Sequence, residues 1–250
     1  MNKIVNESML RRQICDIGNK MYEKNFVAAN DGNISARFGE KYLIVTPTGV
    51  SKGNMKPEQL VKMDLDGNVY GTNKPSSEVK MHLEVYKQNP SLKAVCHAHP
   101  PISTAFAVAG IQLDKPILAE AVVNLGIVPV AKYATPGTQE VPNSIKEYVN
   151  NHNAVLLANH GLLTWGDSLE QAWFRMESTE HYGRILLYVK QIGPANEFDC
   201  NQLSDLITIR EKIGITAGGV PSCKVEPTTD QKSEMEDLIK KVTKKVLESL

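Results

Sequence analysis

Three histidines have the types and spacing from which a metal centre can be built. They are His97 and His99 in AVCHAHPP and His160 in LLANHGLL, each in or just past an apolar, strand-like run. A strand alternates its side chains from face to face, so His97 and His99 project to the same side. An HxH pair alone more often marks packed or surface histidine than a ligand pair, so the company it keeps decides the reading. Glu78 in KPSSEVKMH adds a carboxylate. Three nitrogens and one oxygen form a set that zinc accepts when one position must open for substrate. The chain reads as a metal-dependent enzyme.

The other three histidines lack such company. His82 sits one helical turn from Val79 and Leu83, His152 lies in the polar NNHN turn, and His181 rides a long helical stretch without a neighbouring ligand type. Cys96, beside His97, points to the opposite strand face and reads as a small core residue.

Three loops offer donors to a phosphate. Gly32 and Asn33 supply backbone and amide N–H groups, and Thr48 and Gly49 form a second pair. Ser76 and Ser77 add hydroxyls at a helix N-terminus, where free N–H groups and the helix dipole favour an anion. Taken singly, such pairs mean turns and caps. Lys52 lies nearby in the sequence and could add charge to these loops, although a solvated lysine is the first reading.

The elements that must position these groups alternate between helix and strand with no internal repeat, which predicts α/β layers around a central sheet. A first helix is expected over about residues 6 to 25, with Met9, Ile14, Ile17 and Met21 on its buried stripe. NDGNISAR reads as a loop, and KYLIVTP, AVCHAH, GIVPVA and NAVLLANH read as strands. Pro75 precedes a helix carrying Val79, Leu83 and Tyr86 at helical spacing, which puts Ser76, Ser77 and Glu78 at its start. Asp167 with Glu170 reads as a capping box opening a long helix, with Leu169, Trp173 and Met176 toward the core.

Acidic and basic residues number 28 each, so no net field attracts nucleic acid or an anionic membrane, and neither is expected as a partner. No apolar run approaches the ~20 residues of a membrane helix. The polar start MNKIVNESMLRRQ does not read as a secretory signal. Cys15, Cys96, Cys200 and Cys223 are scattered, without a CxxC pair or framework spacing, which points to a reducing cytoplasm.

In sequence order, NDGNIS, TPTGV, PSSE, CHAHP, KYATPGTQE and NHGLL resemble the signature segments of the class II aldolase/adducin family, and within it the fuculose-phosphate aldolase branch. The resemblance implies a three-layer α/β/α sandwich on a mainly antiparallel sheet, assembled as a homotetramer with sites between subunits. It implies that His97, His99 and His160 bind Zn2+ or another divalent transition metal. Glu78 is implied as both the resting fourth ligand and the catalytic acid/base, with Gly32, Asn33, Thr48, Gly49, Ser76 and Ser77 as the phosphate clamp. The implied reaction cleaves a deoxyketose 1-phosphate, foremost L-fuculose 1-phosphate, to dihydroxyacetone phosphate and L-lactaldehyde. The family also holds enzymes of rhamnulose, 5-deoxyribulose and ribulose phosphates, 4-epimerases with PSSD in place of PSSE, and adducin-like binding modules without the metal histidines.

Two positions depart from the pattern. Asp31 stands where the family has serine, placing a negative charge close to the implied phosphate loop. Glu120 in KPILAEAV stands where the fuculose branch has a tyrosine that protonates the aldehyde oxygen, which makes Glu120 the candidate for that role. The branch's C-terminal tyrosine is unmatched in LITIREKIG.

The resemblance ends near residue 215, giving a catalytic domain over 1–215. Residues 216–232 have the composition of a flexible linker. Residues 233–250 place Met235, Leu238, Ile239, Val242, Val246, Leu247 and Leu250 on one helical stripe. That tail resembles the encapsulation peptides of bacterial microcompartment cargo enzymes, which implies a shell or cargo partner and a location in the cytoplasm or a microcompartment lumen.

Overall fold

The structure, a computed structural model, describes residues 6–223, 238–243 and 245–247. Among them, strands β1 (Asn33–Phe38), β2 (Tyr42–Val45), β3 (Val61–Asp64), β4 (Val69–Tyr70), β5 (Ala94–Ala98), β6 (Val130–Ala131), β7 (Ala154–Leu157) and β8 (Gly161–Gly166) form one sheet. Their order is β4-β3-β2-β1-β5-β8-β7-β6, antiparallel throughout except where β6 meets β7.

Strand alternation splits the core in two. Ile34, Ala36, Ala94, Cys96, Ala98, Leu156 and Leu162 face one side of the sheet, under helices α1 (Glu7–Glu23), α3 (Pro101–Ala109) and α6 (Leu169–Ile192). Leu43, Val45, Val95, Leu163 and Trp165 face the other, under α2 (Val79–Gln88) and α5 (Glu140–Ile145). Two short helical segments, α4 (Ala119–Asn124) and α7 (Cys200–Lys212), complete the layers. The result is the expected three-layer α/β/α sandwich on a mainly antiparallel sheet.

Several local expectations are corrected. Along α1 the buried stripe is Leu10, Ile14, Ile17 and Met21, while Met9 is 49% exposed. Met9 stands one residue, about 100° of helical turn, off the stripe that the other four share. NDGNISAR is a loop only up to Gly32; from Asn33 it is β1. GLLTWG, not anticipated as a strand, is β8 and is buried along its whole length. GLLTWG is covered on both faces and lacks the polar alternation that marks a half-buried strand, whereas NISARF alternates polar with apolar residues but follows directly on the turn formers of NDGN. The cap of α6 lies one residue later than expected: Ser168 Oγ accepts from Gln171 N at 3.1 Å, and Gln171 Oε1 accepts from Asp167 N at 3.0 Å.

The cysteine reading is also corrected, because Cys200 and Cys223 form a disulfide across 23 residues. Beyond α7 the chain turns back over the body, where Gly218 N–H donates to Asn151 O at 2.9 Å and Ile127 N–H donates to Gly218 O at 2.6 Å. This return brings Cys223 to the start of α7, a meeting that spacing along the chain does not reveal. Of the expected linker, residues 216–223 are thus docked, and 224–232 lie outside the described residues. In the tail, residues 238–243 and 245–247 are helical, with Leu238, Ile239, Val242, Val246 and Leu247 exposed; the rest of 233–250 lies outside the described residues. No helix among the described residues is long and apolar enough to cross a membrane.

Candidate metal centre

Sheet register assembles the site. The β1–β5 pairing sets Asn33 opposite His97, and the β5–β8 pairing sets Leu163 on its other side. His99, one residue past β5, is pinned where its N–H donates to Phe26 O at 2.8 Å. Two prolines then open α3, whose first amides are held by the buried Glu180 carboxylate, with Ile102 N at 3.0 Å and Ser103 N at 2.8 Å. That anchor fixes the direction in which the chain leaves the HxH pair.

His160 occupies the tight turn between β7 and β8, next to Asn159 at φ 54°. Asparagine tolerates this left-handed conformation better than most residues. The following residue must be glycine for a different reason. A Cβ on Gly161 would lie 2.6 Å from Ala98 O and 2.6 Å from His99 Cδ2. The same holds at Gly32, where φ is +74° and a Cβ would lie 2.9 Å from His97 O.

The three imidazoles converge, with ring centroids 4.7 to 5.1 Å apart and candidate ligand atoms all within 4.8 Å of one another. Their chemistry fits a cation. His97 Nδ1 lies 2.9 Å from Leu162 O, and a carbonyl only accepts, so Nδ1 carries the proton and Nε2 keeps its lone pair. The Nε2 atoms of both His97 and His99 are buried without a hydrogen-bond partner. Such orphaned nitrogens turned toward one point are the donor set of a divalent metal such as Zn2+. Burial pushes the pKa of His97 down to about 3, which keeps it in the neutral form that ligates. Burial and neighbouring His160 also lower that of His99, against the opposing charges of Asp31 and Glu78.

Glu78 stands across from the triad at the N-cap of α2. Its Oε1 lies 3.1 Å from His160 Nε2, and its Oε2 lies 3.5 Å from His97 Nε2 while accepting from Asn33 Nδ2 at 2.8 Å. Burial opposes its ionisation, but the facing His97, His160 and His99 outweigh this and hold the carboxyl well below the usual range. Asp31 Oδ2 lies 3.5 Å from His99 Nδ1.

A cavity of about 420 Å³ opens beside these groups. Gly32, Thr48, Gly49, Ser76, Ser77, Glu78, His99 and His160 line it, so most of the residues singled out in the sequence meet here. Asn33 stands behind Glu78. An antiparallel bridge between Pro47 and Pro75, with Ser76 N–H donating to Thr46 O at 3.1 Å, joins the TPTG and PSSE segments. Pro136 and Gly137, from the ATPGT segment, reach the rim.

Glu120 is not brought in. It lies exposed in the first turn of α4 and does not line the cavity of its own chain. The other histidines also stay apart. His82 is buried against Ser35 Oγ at 2.7 Å, His152 Nδ1 faces Ile127 O at 3.3 Å, and His181 lines a different cavity on α6.

The residue that sequence reasoning misjudged is Lys52, which is buried and lines the cavity. The available trace was glycine: a Cβ on Gly18 would lie 2.9 Å from Lys52 O, and one on Gly53 would lie 2.6 Å from the Tyr22 ring. Those glycines let the segment press against α1, a relationship that no local pattern marks.

Residues 12–187 match the family described as Class II Aldolase and Adducin N-terminal domain. The chain belongs to this family. Among class II aldolase relatives, 3-oxo-tetronate 4-phosphate decarboxylase of Escherichia coli K12 is 31% identical over 80% of this chain and 96% of its own length. The 5-deoxy-D-ribulose 1-phosphate aldolase of Bacillus thuringiensis is 34% identical over 73% and 86%. The crystal structure of L-fuculose-1-phosphate aldolase from Thermus thermophilus superposes with a TM-score of 0.67 at 30% identity, covering 74% of this chain and 98% of that one. The relatives thus divide between decarboxylase and aldolases, and fuculose is not singled out.

Proposed function

We propose that this class II aldolase family member is a divalent-metal-dependent carbon–carbon lyase that releases dihydroxyacetone phosphate from a small phosphorylated ketose or keto acid. The observation that carries the reading is the convergence of three imidazoles and a facing carboxylate beside a cavity that three donor loops line. The substrates named for the relatives share one intermediate. Loss of C1 as carbon dioxide from 3-oxo-tetronate 4-phosphate, and loss of an aldehyde from a ketose 1-phosphate, leave the same three-carbon phosphorylated enediolate.

His97, His99 and His160 would hold a divalent cation, which would supply Lewis-acid stabilisation of the negative charge that builds as the bond breaks. In this reading Glu78, whose carboxylate accepts from Asn33 Nδ2, exchanges a proton with the reacting carbon. Gly32, Thr48, Gly49, Ser76 and Ser77 hold the phosphate away from the reacting bond and so orient it.

The leaving group separates two readings. An aldehyde departs only as its hydroxyl gives up a proton, and Glu120, the candidate acceptor, does not reach the cavity of its own chain. Carbon dioxide needs no such acceptor, and the similarity to 3-oxo-tetronate 4-phosphate decarboxylase of Escherichia coli favours decarboxylation of a phosphorylated 3-keto acid. Cleavage of L-fuculose 1-phosphate is the second reading, with Glu120 supplied by a neighbouring subunit of a homotetramer. A side-by-side assay of the zinc-loaded protein decides between them. It compares 3-oxo-tetronate 4-phosphate with fuculose, rhamnulose, ribulose and 5-deoxyribulose 1-phosphates, following dihydroxyacetone phosphate, carbon dioxide and aldehyde. No dihydroxyacetone phosphate from any of them would sink the proposal.

We also propose that residues 233–250 are an address for a microcompartment lumen and take no part in catalysis. Support comes from the resemblance of the tail to encapsulation peptides and from the exposure of Leu238, Ile239, Val242 and Leu247.

A further inference from the structure

Lys52 begins a 3-10 turn, Lys52–Asn54, just beyond the TPTGV loop, and only 1% of it is exposed. Its Nζ donates to Asn30 O at 2.8 Å and to Val50 O at 2.9 Å. Those carbonyls belong to the two loops that bracket the cavity, and Lys52 lines it beside Thr48 and Gly49. An ammonium has three N–H donors, and the protein takes up two. No carboxylate among the described residues forms an ion pair with it; Asp31 and Glu78 act on it only through space.

A buried charge without a counter-ion is costly to keep. Burial pushes the Lys52 pKa down to about 8, against the pull of Asp31 and Glu78, so the ammonium form still prevails at neutral pH. The wall of this cavity therefore presents a cation that the protein tethers by carbonyl dipoles and leaves without an adjacent anion.

We infer that Lys52 is the cationic ligand of the substrate's phosphate, giving it the third N–H while the other two tie the NDGN and TPTGV loops together. The inference rests on the phosphate reading of this cavity proposed above. It adds a charge-assisted donor to a clamp that otherwise consists of neutral hydroxyls and backbone N–H groups.

The test is calorimetric titration of inorganic phosphate into the zinc-loaded, full-length protein. Lys52→Met removes the charge while keeping most of the volume. It should weaken phosphate binding by roughly 10- to 100-fold, the usual worth of a hydrogen bond from a charged donor. The KM for a phosphorylated substrate should rise by a similar factor, zinc content should stay unchanged, and Lys52→Arg should recover part of the loss. A Lys52→Met protein that melts earlier but binds phosphate within about twofold of wild type would show that Lys52 only ties the loops. A wild-type protein that binds no phosphate would overturn the phosphate reading and Lys52's role together. Should Lys52→Met fail to fold, wild-type protein carrying isotope-labelled lysine gives the answer. The Lys52 Nζ resonance should shift at saturating phosphate, and an unmoved resonance overturns the inference.

Discussion

Asp31 holds its carboxylate 3.5 Å from Nδ1 of His99 and leaves that ring's other nitrogen, buried and without a hydrogen-bond partner, turned to the metal centre. The charge that stands in place of the family's serine thus has a partner in a candidate ligand. A carboxylate behind a metal-binding imidazole sets its tautomer and raises its basicity.

Asp31→Asn should accordingly lower zinc affinity by roughly 10- to 100-fold, the usual effect of losing such a partner. Competition against a graded series of chelators would measure it. Unchanged affinity would show that Asp31 serves only the loop.

Glu78 and His160 should separate chemistry from metal retention, although they lie 3.1 Å apart. His160→Ala removes one of three imidazoles and should cost both bound zinc and turnover. Glu78→Gln should keep zinc and phosphate binding but lower turnover by at least ~100-fold, since an amide cannot carry the proton. Metal analysis and steady-state rates on the two variants are enough, and a Glu78→Gln enzyme with normal turnover would require another base.

The disulfide between Cys200 and Cys223 closes a loop of 23 residues, for which chain entropy suggests about 3 kcal/mol of stabilisation. Neither cysteine lines the cavity. Cys200→Ser, or a reductant, should therefore lower the urea midpoint while leaving zinc content unchanged. Coincident unfolding curves with and without reductant would refute this.

For the tail, deleting residues 233–250 should leave oligomer size and turnover intact. Fusing the same residues to a fluorescent protein should produce puncta in cells that make a microcompartment shell. Diffuse fluorescence, or a truncated enzyme that falls apart, would assign the helix to its own assembly, since a short amphipathic helix needs some surface for its apolar stripe.

What the chain reveals by itself is what local geometry dictates. Alternation in AVCHAH puts His97 and His99 on one face and Cys96 on the other. The helical spacing of Val79, Leu83 and Tyr86 puts Glu78 at the start of α2, which begins at Val79. The glycines of DGN and NHG stand out only as motif members; that a Cβ on either would lie within 3 Å of the His97–His99 segment is decided by the fold. The strand at GLLTWG was not legible, because a strand buried on both faces carries no polar alternation, while the alternation of NISARF was masked by the turn formers Asn30, Asp31 and Gly32 directly before it.

Tertiary structure alone decided the rest. The register of β1 on β5 sets Asn33 against His97 and lets it hold Glu78, a pairing of residues 45 apart in the chain. The packing of the Lys52 turn against α1 buries a lysine that looks solvated in its local sequence, and the return of the chain past α7 joins Cys200 to Cys223. Each of these depends on which distant segment lies alongside, and residue type and spacing within one segment carry no record of that.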